Sequence, residues 1–188
     1  MATRQDRRTA RTRSALIEAF NHLILNRRPK KIRVSDIIAH ANVGRSTFYQ
    51  HYSSADAIHI DALSRPFGIL ADAAAGIGDP HALDLLLAHF WENRQRARES
   101  FDGRMGDRVV RMLADLVEER LIARRIAPAI PLRLAALQLA QASLGPIKGW
   151  LLAEAPCTTE KLARSLCRTG EQLLAALAPV AAAEPELE

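Results

Sequence analysis

The sequence predicts an all-α protein, with a small N-terminal helix-turn-helix head followed by a helical-bundle body. Three observations carry this. Apolar residues recur at three- and four-residue steps in one segment after another, the period of helices that each bury one face. Helix punctuation separates those segments, with Asp79-Pro80 and Thr158 at starts and Pro29, Pro128, Pro156 and Pro179 at boundaries. The charge is also uneven. Residues 1–65 hold 12 Lys and Arg against 5 Asp and Glu, and residues 66–188 hold 14 against 16, so the overall +5 divides into +7 and −2. A basic head on a slightly acidic body is the footprint of a polyanion-binding module joined to a part that need not bind polyanions. The expected domains are the head at 9–65 and a ligand-binding and dimerisation body at 66–180, with flexible tails at 1–8 and 181–188.

The chain has 188 residues, 48% of them hydrophobic and only 5% aromatic, so aliphatic helix packing must supply most of the core. No run of about eighteen apolar residues could span a membrane. The basic N-terminus is not backed by an apolar segment like that of a signal peptide, so a cytoplasmic protein is expected. In that reducing setting Cys157 and Cys167 are not expected to pair.

The elements follow in order. Residues 1–8, with Arg4, Arg7 and Arg8, have nothing to pack and read as a frayed arm, either a DNA-contacting one or a solvated tail. Leu16, Ala19, Phe20, Leu23 and Ile24 form the stripe of a first helix from about Thr9 to Asn26. Pro29 ends it within the basic turn Arg27-Arg-Pro-Lys-Lys31. Ser35 is the expected N-cap of a short second helix with Ile37, Ile38 and Ala41 on its apolar side. Asn42 sits where the chain must turn, because Asn tolerates a left-handed backbone better than any residue except Gly. Gly44 opens the next helix. At 100° per residue, Arg45, Ser46, Tyr49 and Gln50 share one face, and Phe48 and His51 fall roughly opposite. This is the plan in which a second helix enters the DNA major groove, with Arg and Gln able to reach base edges and Ser and Tyr able to bond phosphates.

Ser53-Ser54 should cap a fourth helix, which Pro66 kinks or breaks before a shorter piece from Phe67 to Ala75. Asp79 and Pro80 start a helix with Leu83, Leu86, Leu87, Phe90 and Trp91 on its apolar side, fraying through a solvated Arg94–Glu99 segment. Another runs from about Arg104 to Arg125. Residues 132–153 form the most apolar helix, bent at Gly145-Pro146, and its apolar residues need cover on more than one side. A last helix, about 159–177, follows Thr158. The simplest cover for these two helices is the same pair from a second copy about a two-fold axis.

The stretch Val43-Gly-Arg-Ser-Thr-Phe-Tyr-Gln-His-Tyr52 closely resembles the recognition helix of TetR/AcrR transcriptional regulators, and Lys31 to Val43 resembles the preceding helix and turn, in the branch with Asn in the turn. The resemblance covers about the first third of the chain. It implies a homodimer on palindromic double-stranded DNA, most often a repressor released by a small molecule. The DNA-binding residues expected are Arg33, Ser35, Arg45, Ser46, Thr47, Tyr49, Gln50, His51 and Tyr52. For His51 the helical wheel favours packing, whereas the resemblance implies a phosphate contact. Two positions depart from the family pattern. Arg33 stands where Thr is common, and Ala55 stands where a phosphate-contacting Lys is usual.

An apolar cavity in the body could hold a small apolar ligand, with Phe90, Trp91, Phe101, Met105, Met112 and Trp150 as lining and Gln138 and Gln141 as polar handles. The other reading is that bulky residues at helical spacing are simply core. No metal-ligand spacing, phosphate-cradling loop or nucleophile motif is present, so no catalytic residue, metal or cofactor is expected and the protein is not read as an enzyme. The rival readings are a DNA-binding accessory protein without regulatory function, and a helical ligand carrier or enzyme.

Overall fold

A computed structural model of the chain describes residues 4–26 and 32–179, and all regular structure among them is α-helical. The helices are α1 (Arg4–Asn26), α2 (Val34–Ala41), α3 (Arg45–His51), α4 (Ala55–Ala74), α5 (Pro80–Glu92), α6 (Arg94–Ser100), α7 (Gly103–Ala123), α8 (Leu132–Leu151) and α9 (Thr159–Ala176). The basic turn 27–31 and the C-terminal tail lie outside the described residues. The chain divides into two compact units, one of residues 1–65 with 95–109 and one of residues 66–94 with 110–188.

In the first unit, Leu16, Ala19 and Phe20 of α1 pack with Ile32, Ile37 of α2, Phe48 of α3, Tyr52 and Ile58 of α4. Each such burial contributes about 1.5–3 kcal/mol of hydrophobic stabilisation. Helix α1 begins earlier than the predicted Thr9, so the expected frayed arm is helical from Arg4 onward. The segment Arg4 to Arg8 has no glycine, proline or β-branched residue to resist a helix, and Asp6 in the first turn suits the positive helix end. Ser54 caps α4 by accepting from the Ala57 N–H at 3.1 Å.

In the second unit, α9 packs against α5 and α8. Asp79 caps α5, its Oδ1 accepting from the His81 N–H at 2.9 Å with Pro80 in the first turn. Thr158 caps α9 in the same way, accepting from Lys161 at 3.3 Å. Three elements differ from expectation. Pro66 does not break α4, which runs on to Ala74. A proline removes one N–H from the ladder, while Phe67, Leu70, Ala71, Ala73 and Ala74 beyond it are buried and hold the helix. The Arg94–Glu99 segment is not a frayed end but α6, set off by Asn93, whose amide donates to the His89 carbonyl at 3.0 Å. Much of the apolar circumference of α8 is covered within the chain, with Ala135, Ala136, Leu139, Ala140, Leu144, Ile147, Trp150 and Leu151 all buried.

Candidate nucleic-acid interface

Helices α2 and α3 are joined by a three-residue turn, Asn42 to Gly44. Asn42 adopts φ 50° and ψ 48°, the left-handed conformation expected of it, and its N–H donates to the Ile38 carbonyl. The start of α2 differs from the prediction. Arg33, not Ser35, is the N-cap residue, and the Asp36 carboxylate reaches back to accept from the Arg33 N–H at 3.1 Å. An acid three residues past the cap does this well, so the helix starts before Ser35 and leaves that hydroxyl exposed inside the first turn.

Gly44 caps α3 with an extended backbone, and its carbonyl accepts from the Phe48 N–H at 3.1 Å. Phe48 is fully buried, its ring edge-on to Tyr49 at 5.4 Å and tilted against Tyr52 at 5.9 Å. The opposite arc carries Arg45, Ser46, Tyr49 and Gln50, all exposed, with Tyr49 at 50%. An aromatic left half in solvent beside a fully buried Phe is uncommon for packing reasons alone and suits a surface that meets a partner. Thr47 and His51 are half-buried, so His51 lies between its two expected roles. Arg33 is exposed at the head of α2.

Tyr52 is not on the exposed face. Its ring is buried and its hydroxyl donates to Asp61 of α4 in a short bond. Asp61 also accepts two bonds from the Arg13 guanidinium of α1, at 2.8 Å from Nε and 2.5 Å from Nη2. Burial pushes the Asp61 carboxyl up, but the bonds from Arg13 and Tyr52 outweigh it, and the net shift is downward. Burial and the Asp61 bond raise the Tyr52 hydroxyl above its ordinary range, so it stays a donor. The trio ties the residue following α3 to α1 and α4. It makes Tyr52 a positioning residue rather than a surface contact. Neither Arg13 nor Asp61 stood out in the sequence, because their pairing joins positions 48 residues apart.

The residues expected to line a body cavity do not form one group. Phe101 and Met105 belong to the first unit, and the others to the second. Trp91 and Trp150 pack ring on ring at 4.7 Å, with the Arg94 guanidinium 4.7 Å from the Trp91 centroid. Phe90 and Met112 are buried. Gln138 and Gln141 are exposed rather than internal, because Ala135, Ala136, Leu139 and Ala140 take the packed side of α8. Among the described residues no group of three or more His, Cys, Asp or Glu is placed to hold a metal ion, and no helix is long and apolar enough to cross a membrane.

No protein-family model matches the sequence, and no curated protein matches it. Solved structures do. A TetR transcriptional regulator from Streptococcus agalactiae 2603V is similar at 29% identity and a TM-score of 0.50, over 89% of this chain and 97% of that one. The TetR-family repressor AlkX from Dietzia sp. strain DQ12-45-1b, implicated in biodegradation of n-alkanes, is similar at 18% identity and a TM-score of 0.55, over 89% of this chain and 98% of its own. The second likeness speaks for the fold alone.

Proposed function

This chain is a TetR/AcrR-like protein, and from that premise we propose that it is a sequence-specific, DNA-binding transcriptional regulator. It acts in the cytoplasm as a homodimer on a palindromic operator, as a repressor released by a small molecule. The observation that carries this reading is α3 itself. A seven-residue helix is anchored by a fully buried Phe48 and presents Arg45, Ser46, Tyr49 and Gln50 to solvent. Arg45 and Gln50 would meet base edges, and Ser46, Thr47 and Tyr49 would grip the operator beside them. Arg33, Ser35 and His51 are assigned to the phosphates flanking the groove.

The dimer is assigned to α8 and α9, residues 132–153 and 159–177. Leu134, 54% exposed, and Leu152 at the end of α8 are apolar surface that a second copy would cover. A two-fold dimer would present two copies of α3 to half-sites about one helical turn apart. Release by a ligand requires that the ligand prefer the geometry that does not fit the operator.

The test is fluorescence anisotropy at near-physiological salt, with DNA from upstream of the protein's own gene against a scrambled duplex. A specific regulator should prefer its operator by ~10³-fold or more. Tyr49→Ala should weaken operator binding by about tenfold or more while leaving the fold intact. If a genome-wide binding survey finds no preferred site and binding only follows salt, the reading falls in favour of a packaging role.

A further inference from the structure

The first unit holds a cavity of about 360 Å³ bordered by α1, the first turns of α4, the end of α6 and the start of α7. That is within the range of small-molecule pockets. Its walls include Phe20, Asp56, His59, Glu99, Asp102 and Met105. Phe20 and Met105 make an apolar side, and the carboxylates make an acidic one.

Two of those carboxylates are already answered. Asp56 Oδ2 lies 3.3 Å from the Arg108 guanidinium. Asp102 Oδ1 accepts from the Gly103 N–H at 2.9 Å, at the N-terminus of α7. Glu99 differs. Its Oε2 is shut off from solvent and accepts no hydrogen bond. A buried acceptor without a donor is costly, and each one in a folded protein calls for an explanation. His59 does not supply the missing charge. It is buried, its Nε2 is 3.3 Å from the Ser100 hydroxyl, and burial holds its pKa down to about 4, so it is neutral near pH 7. Arg104, the cation among the walls, is exposed.

We propose that this cavity binds a small organic ammonium ion, with its charged head on Glu99 and its apolar part against Phe20 and Met105. An ammonium brings both things the site lacks, a hydrogen-bond donor and a positive charge, and charge-assisted bonds of this kind are the strong ones. A neutral alcohol brings only the donor. A divalent metal would need more ligands than the described residues gather here. The inference stands on the first unit alone and does not need the DNA-binding reading.

The test is isothermal titration calorimetry of the full chain, without DNA, using 2-phenylethylamine and n-hexylamine as probes and 2-phenylethanol as the neutral counterpart. At least one amine should saturate with one site per chain, about tenfold or more tighter than the alcohol. Glu99→Gln should weaken amine binding by about tenfold or more, and Met105→Trp, which fills the cavity, should abolish it. Glu160→Gln, on exposed α9 surface, should bind like the wild type. The proposal is overturned if neither amine saturates below ~10 mM, if alcohol and amine bind alike, or if Glu99→Gln binds as well as the parent. Should Met105→Trp fail to fold, Glu99→Gln decides alone, its fold checked by thermal melting. Because no DNA is present, failure here leaves the regulator reading standing, and failure of operator binding leaves this one standing.

Discussion

Asp61→Ala removes the acceptor that joins Arg13 to Tyr52, and its cost can be built from the parts. The Arg13 side chain is 57% exposed, so that pair contributes ~0–1 kcal/mol despite its two-bond geometry. The Tyr52 hydroxyl belongs to a buried residue, and leaving it without an acceptor costs ~1–3 kcal/mol. The sum is a destabilisation of roughly 1–4 kcal/mol. Asp61→Asn keeps an oxygen for Tyr52 and loses only the charge, so it should cost about 1 kcal/mol or less. Urea unfolding read at constant m-value checks the order wild type, Asn, Ala. The pH dependence has a definite sign. The Asp61 pKa is lowered in the folded state, so its contribution is fully present above the unfolded value near 3.8 and is lost as pH falls through the lowered one. The gap between wild type and Asp61→Ala should therefore be widest above about pH 4 and close in stronger acid. Equal midpoints for the Ala and Asn variants, or an Ala variant within ~0.5 kcal/mol of wild type, would refute the argument. Either result would mean that the Tyr52 hydroxyl does not depend on Asp61.

Gly170→Ala should destabilise the second unit although alanine is the better helix former by ~1 kcal/mol, because the added Cβ would fall well inside contact of the Ala73 carbonyl oxygen. Overpacking of that kind costs ~1–3 kcal/mol, and a rise in thermal midpoint would refute it. His59 should make the protein acid-sensitive. Burial lowers its folded pKa from 6.5 to about 4, so the unfolded state takes the proton first and stability falls as pH drops through that window. The loss is about 3 kcal/mol, and a His59→Leu variant should show a shallower fall in pH-dependent melting. Leu134→Arg should shift the dimer toward monomer by light scattering at micromolar concentration, and an unchanged mass would remove α8 from the interface.

The parts of this chain that were legible in its sequence are those whose physics is local. Asn42 in a left-handed turn, Phe48 buried behind an exposed Tyr49, and the caps Asp79, Ser54 and Thr158 each depend on residues within a few positions. Where two local signals competed, the reading slipped. Ser35 is a good cap residue, yet Asp36 reaching back to Arg33 starts α2 earlier. Pro66 is a good breaker, yet the burial of Phe67 and Leu70 beyond it outweighs one lost bond. The least legible features are those made by folding itself. No spacing rule brings Arg13 to Asp61, Gly170 to Ala73, or Glu99 into one cavity wall with Phe20. Gln138 and Gln141 were misplaced for the same reason, since only packing shows which arc of α8 faces its neighbours.

Helix α3 separates holding from reading. A helix of seven residues is far too short to be stable alone, so its order comes from tertiary contacts. Those contacts fall on Phe48 and, through the chain that follows, on Tyr52 and its bond to Asp61. None of them uses the exposed side chains of Arg45, Ser46 or Gln50. That face can therefore change without loss of fold, while the buried side cannot. Substitutions at Arg45 or Gln50 should alter which DNA is bound and leave the melting temperature within about 1–2 °C. Tyr52→Phe, which removes only the hydroxyl, should lower stability first and weaken DNA binding only through it. If Tyr52→Phe instead weakened DNA binding with stability unchanged, the hydroxyl would have to leave Asp61 for the operator, and holding and reading would not be separate.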